Sequence, residues 1–231
     1  DNPIRGSKEL EEKYFYCDEH KELSIRAARE SATLLKNDGL LPLAKNQKVT
    51  VVGKLATSTN IVGSWAIFVE PDRTVTFADA LKQRYPEVEF EVYPQDEADE
   101  AMLAACAKSD VVIACIGEDD YKTGEAKSVS DVSLCKEHQA LFDAVYKVNR
   151  NVLSLLYAGR PLAIPKLAEK SSAILDAWYP GTFGNIGICE LIFGDASPCG
   201  RVPMSFPHTT GQLPMSYNAF TTGRPIGEWN G

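Results

Sequence analysis

An α/β fold, a mostly parallel sheet sandwiched between helices in flavodoxin- or Rossmann-like layers, is what this sequence of 231 residues predicts. Three observations predict it. The runs "KVTVVG", "DVVIACIG", "NVLSLLY" and "SAILDAW" are continuously apolar rather than alternating, as strands buried on both faces are. Amphipathic stretches of helical period separate them. The length is that of one large or two small domains, enough to bury roughly 70% of the unfolded surface.

Taken in order, "DEHKELSIRAARESATLLKN" from Asp18 sets Leu23, Ile25, Ala28, Ala32 and Leu35 near helical spacing behind an Asp N-cap, and predicts one long helix to Asn37. The turn "NDGLLPL" leads to a strand ending at Gly53. There follow a strand "FEVY" at Phe90, a helix "DEAMLAACAKS" to Ser109, the strand "DVVIACIG", a helix "KEHQALFDAVYKV" to Val148, and strands ending at Tyr157 and Trp178. The helix "GNIGICELIFG" closes the series at Gly194. Sheets of this kind take ligands beyond the C-terminal ends of their strands, where the loops after Gly53, Gly117, Tyr157 and Trp178 gather.

Composition excludes several function classes. Lys and Arg number 24 against 32 Asp and Glu, and a net charge of -8 repels phosphate backbones, so DNA, RNA and anionic lipid are poor partners. No apolar run reaches the roughly 18 residues of a membrane span. The acidic stretch "EVEFEVYPQDEADE" from Glu87 reads as a solvated face rather than a metal site. Cys17, Cys106, Cys115, Cys135, Cys189 and Cys199 show no CxxC spacing and read as structural thiols. With no N-x-S/T acceptor and no signal peptide before Asp1, a reducing, cytoplasmic home is expected, unless the chain is a fragment of a secreted parent.

"WYPGTFGNIG" resembles a dinucleotide fingerprint, but its spacing is GxxGxxG and no acidic residue ends a strand about 20 residues on. Gly181, Gly184 and Gly187 are expected to serve close packing of helix on strand. His20, His138 and His208 have no metal spacing, and His138, inside a helical pattern, is expected at a surface or boundary position. No metal site or cofactor is expected. What remains is "GEDDYKTGEAKSVSD", which places Glu118 and Glu125 on the loop after a buried strand. A carboxylic acid in a partly desolvated pocket can donate a proton near neutral pH, as glycoside hydrolysis requires, and retention needs a second carboxylate about 5 to 5.5 Å away.

The stretches "AARESATLLKNDGLLPL" from Ala27, "VTVVGKLA", "GSW" at Gly63, "GEA" at Gly124, "AGRPLAI" from Ala158, "AILDAWYPGTFGNIGICELIFGDASPCGRVPMSFP" from Ala173 and "TTGRP" from Thr221 together resemble glycoside hydrolase family 3, its β-glucosidases especially. The resemblance is to the family's second domain, an α/β sandwich that follows a (β/α)8-type barrel. It implies a linker from that missing barrel over residues 1–17, the sandwich over 18–215, and a linker toward a fibronectin type III-like domain over 216–231. It further implies a retaining, exo-acting glycosidase acting on terminal β-glucosyl residues, with a nucleophilic Asp on the barrel. Glu125 matches the family's acid/base position, Glu118 is the second candidate, and Trp65 falls where relatives place an aromatic platform beside the sugar. Without its barrel the chain is expected to be inactive, its partners being that barrel and a small glycoside or oligosaccharide.

The chain departs from the family's pattern in four places. Val129 stands where relatives commonly show Arg, Cys135 where they show Pro, His138 where they show Gln, and Lys54 where they show Pro. The alternatives are therefore a non-catalytic carbohydrate-binding or interaction module of the same fold, and β-xylosidase-type specificity.

Overall fold

The computed structural model describes residues 6–66, 70–218 and 220. The segments "DNPIR" and "TTGRPIGEWNG", read above as linkers, lie outside them.

Six strands form one sheet in the order β1-β6-β5-β4-β2-β3. They are β1 Thr33–Asn37, β2 Val49–Val52, β3 Phe90–Tyr93, β4 Val111–Gly117, β5 Val152–Tyr157 and β6 Ala173–Asp176. All neighbours are parallel except β1 and β6, so the sheet is mostly parallel as expected. Every residue of β2, β4, β5 and β6 is buried, which is why these segments read as unbroken apolar runs.

The period-2 geometry of a strand assigns alternate residues to opposite cores. Val111, Ile113 and Cys115 of β4 join one cluster with Phe77 and Leu81 of α3 (Phe77–Arg84) and Ile188 and Ile192 of α7 (Gly184–Ile192). Val112, Ala114 and Ile116 join the other with Met102 of α4 (Glu100–Lys108), Phe142 and Val145 of α5 (Lys136–Val148) and Leu167 of α6 (Pro165–Lys170). Helices thus cover both faces, and the architecture is an α/β sandwich.

The long helix read from Asp18 is corrected. The helix, α2 (Asp18–Ser31), ends at Ser31, and the "TLLKN" that was expected to continue it is β1, paired antiparallel with β6 through Thr33↔Asp176 and Leu34↔Leu175. Leu34 packs on one core and Leu35 on the other, an alternation that only a strand provides. The open edge of buried β6 offers ladder partners that outweigh the helical spacing of Ala32 and Leu35. A short exposed helix, α1 (Lys8–Tyr14), precedes α2, with the Ser7 hydroxyl accepting from Leu10 N–H.

Of the glycines of "GTFGNIG", Gly184 and Gly187 pack closely, though against a helix rather than a strand. Gly181 does not: a Cβ there would meet nothing within 4 Å, and its φ of 77 is what calls for glycine. A Cβ at Gly184 would stand 2.6 Å from the Ala28 Cβ, and one at Gly187 would stand 2.6 Å from the Ile25 carbonyl oxygen. These glycines let α7 lie directly on α2.

Candidate functional site

The chain leaves β2 toward β3 on one side and returns to β4 on the other, so the strand order reverses between β2 and β4. In open α/β sheets the crevice outside the strand ends at such a point is the usual ligand position. The loops after β2 and β4 place Lys54 and Glu118 there.

Glu118 follows the last residue of β4, and its side chain is 8% exposed. Its backbone N–H donates to the Tyr157 carbonyl at 2.7 Å, continuing the β4–β5 pairing into the loop. Oε1 accepts from Nη2 of Arg160 at 2.6 Å. Arg160 comes from the loop after β5, so the ion pair ties the two loops together. Among the described residues, Oε2 of Glu118, Oδ1 of Asp119 and Nε of Arg160 are buried without a hydrogen-bond partner.

Glu125 lies farther out on the same loop, exposed to solvent. The turn that holds it is closed by Lys127 N–H donating to the Gly124 carbonyl at 3.2 Å, with Ala126 at φ 57. Gly124 has φ 129, and a Cβ there would stand 2.5 Å from Ser64 Oγ, so this turn rests on the "GSW" segment. Trp65 is 65% exposed. Gly63, Ser64, Trp65, Gly124, Gly159 and Tyr179 line one depression of about 310 Å³, which places the indole and the Glu125 turn on a common rim. The Tyr179 hydroxyl donates to the Asp119 carbonyl at 2.9 Å, fixing the loop from below.

A second depression, of about 460 Å³, opens at the point of strand reversal. Its lining includes Lys54, Glu118, Val129, Cys135, His138 and Arg160. Val129 is 37% exposed there and offers no charge to the Glu118–Arg160 pair.

Two expectations about polar residues are corrected here. His138, expected at a surface or boundary, is 2% exposed. Asp96, read as part of a solvated acidic face, has its Oδ2 3.3 Å from His138 Nε2 and accepts the Lys54 backbone N–H at 2.9 Å. Both side chains turn inward because each supplies the other's counter-charge. Burial pushes the His138 imidazolium toward losing its proton, but Asp96 and the Cys135 side chain outweigh it and raise the pKa from 6.5 to about 9. Burial likewise works against charge on Asp96, yet the facing His138 ring and the bond from the Lys54 N–H hold its carboxyl below its ordinary value.

Sequence reading also missed Arg160. The signal was present in "AGRPLAI", since a Glu at the end of a buried strand needs a cation and this Arg follows the adjacent strand. Among the described residues no group of three or more His, Cys, Asp or Glu is placed to hold a metal ion.

These features agree with what the chain resembles. The glycosyl hydrolase family 3 C-terminal domain matches residues 32–228, and the chain belongs to that family. A periplasmic β-glucosidase of Salmonella typhimurium is 34% identical over 89% of this chain and 31% of its own length. A β-xylosidase of Formosa agariphila is 31% identical over 87% of this chain and 30% of its own length. The crystal structure of a β-glucosidase from Listeria innocua superposes with a TM-score of 0.89 at 37% identity, over 99% of this chain and 32% of that one. The chain therefore spans about a third of the length of these relatives.

Proposed function

We propose that this chain is the second domain of a retaining, exo-acting β-glucosidase, completing an active site whose nucleophile lies on a preceding barrel. The shared rim of Trp65 and the Glu125 turn, beyond the C-terminal ends of the parallel strands, is the observation that carries this reading. Glu125 is the general acid/base. It protonates the departing glycosidic oxygen as the barrel carboxylate attacks the anomeric carbon. It then takes a proton from the water that frees the sugar. Trp65 offers an indole face on which the apolar face of a sugar ring can stack. Glu118 is committed through Oε1 to Arg160, which suits it to anchoring the loop, and it is the second candidate for the acid. The domain is taken as residues 18–215, since α2 is fitted to α7 through Gly184 and Gly187.

The reading is tested in the polypeptide that joins this domain to its barrel. In Glu125→Gln, hydrolysis of β-glucosides with poor leaving groups should fall by about 10²–10⁴, whereas a dinitrophenolate, which leaves without a proton, should still depart. Azide, which needs no deprotonation, should restore turnover of the trapped glycosyl-enzyme. Equal loss on all substrates, or none on any, would overturn the assignment. The sugar is decided in the same assay by comparing aryl β-glucoside with aryl β-xyloside, the latter suggested by the xylosidase relative.

A further inference from the structure

His138 joins three strand ends. It lies in the first turn of α5, and its Nδ1 is 3.1 Å from the Gly117 nitrogen and 3.0 Å from the Gly117 carbonyl oxygen at the end of β4. Its Nε2 faces Asp96 from the loop after β3. Asp96 in turn holds the turn after β2, accepting the Lys54 backbone N–H and lying 3.5 Å from Lys54 Nζ.

One nitrogen cannot serve both Gly117 groups at once. In the imidazolium, Nδ1–H donates to the Gly117 oxygen, leaving the Gly117 N–H facing it donor to donor at 3.1 Å. Nε2 makes no hydrogen bond among the described residues and lies 3.3 Å from Asp96 Oδ2 as an ion pair. In the neutral ring with its proton on Nε2, Nδ1 presents a lone pair. That lone pair can accept from the Gly117 N–H, but it also faces the Gly117 oxygen at 3.0 Å, acceptor against acceptor. This carbonyl belongs to the peptide that continues into Glu118, whose N–H is bound to Tyr157 and whose carboxylate is bound to Arg160.

We propose that protonated His138 is a positioning residue, holding the Gly117–Glu118 peptide and thereby the root of the loop that carries Glu125. The inference rests on the acid/base reading of that loop and deepens it. The groups that face or surround the ring are Asp96 after β3, Lys54 after β2, Cys135 and Glu137 on α5 itself, and Glu118 and Arg160 lining the same depression. Of these, Asp96 and Cys135 favour the proton, and with them the imidazolium persists to about pH 9.

The test is a titration of the 231-residue chain followed by NMR, reading the His138 Cε1–H, the Gly117 and Glu118 amides and the Arg160 Nε–H. The ring should titrate near pH 9, and the Glu118 amide should move with the same midpoint. His138→Gln, whose amide donates at every pH, should abolish that step while leaving the rest of the spectrum in place. Asp96→Asn should lower both midpoints together, and it carries the test if His138→Gln does not fold. A ring titration without any response at Glu118, a Glu118 step that survives His138→Gln, or midpoints unmoved in Asp96→Asn would each overturn the proposal. None of these readouts depends on turnover. Failure of the glycosidase reading would appear instead in the Glu125→Gln kinetics, with the titration unaffected.

Discussion

Arg160 Nη2 donates to Glu118 Oε1 at 2.6 Å, and this pair, with only 21% and 8% of the two side chains exposed, bridges the loops that follow β5 and β4. Oε2 has no hydrogen-bond partner among the described residues, so the guanidinium carries the compensation for a carboxylate withdrawn from water. Arg160→Met should therefore cost about 3 kcal/mol, because it strands a buried charge. Adding Glu118→Gln to it should recover a large part of that loss. Urea unfolding of the two single variants and the double variant checks the coupling. Additive losses would mean that the pair contributes little.

Asp176 gives the opposite sign. It ends β6, is 1% exposed, and accepts the Trp178 N–H at 2.9 Å, but burial outweighs that bond and pushes its carboxyl up to about 7. Below the ordinary value of 3.8 the group is protonated in both folded and unfolded chains and favours neither. As the pH rises from there to about 7 the unfolded chain releases its proton first, so the folded state is progressively disfavoured, and above 7 the penalty is constant. Asp176→Asn keeps an oxygen for Trp178 and has no charge to bury. It should raise stability by about 2 kcal/mol above pH 7 and by little below pH 4, read from denaturation at the two ends of the range.

The parts of this fold that were legible in the sequence are those whose environment is uniform. β2, β4, β5 and β6 are buried along their whole length, so local hydrophobicity alone marks them. β1 was not legible, because Ala28, Ala32 and Leu35 satisfy a helical spacing, and the strand exists only through its pairing with β6, some 140 residues away by the Thr33↔Asp176 register. The site divides in the same manner. Glu118 and Glu125 could be placed after a strand by position, but the partners that decide what each can do, Arg160 for Glu118 and Ser64 beneath Gly124, come from distant loops. The His138–Asp96 pair was misread for the same reason, since each residue alone is typical of a surface and only their mutual charge makes burial tolerable.

Gly187 offers a steric test of the helix pair. A methyl group there would stand 2.6 Å from the Ile25 carbonyl oxygen and 3.0 Å from Arg29 Cβ, and backbone cannot yield as a side chain can. Gly187→Ala should cost about 1–3 kcal/mol by forcing α7 away from α2, despite the better helix propensity of Ala. Gly211→Ala, whose methyl would meet nothing nearer than 3.7 Å, is the matched control and should be close to neutral. A neutral Gly187→Ala would show that the two helices can separate freely.

Trp65 separates the two roles an exposed indole on this rim can have. At 65% exposure it makes few contacts within the chain, so Trp65→Ala should change the stability of the domain by less than about 0.5 kcal/mol. If the ring is the sugar platform, the same substitution in the barrel-containing enzyme should weaken binding of a glucose-like competitive inhibitor about tenfold, the worth of one stacked face, while the two domains stay docked. If the ring instead fills the interface with the barrel, inhibitor affinity should track the loss of docking and fall further as the protein is diluted or warmed. Inhibition constants measured beside the thermal transition of the intact enzyme distinguish the two, because only docking couples sugar affinity to the transition.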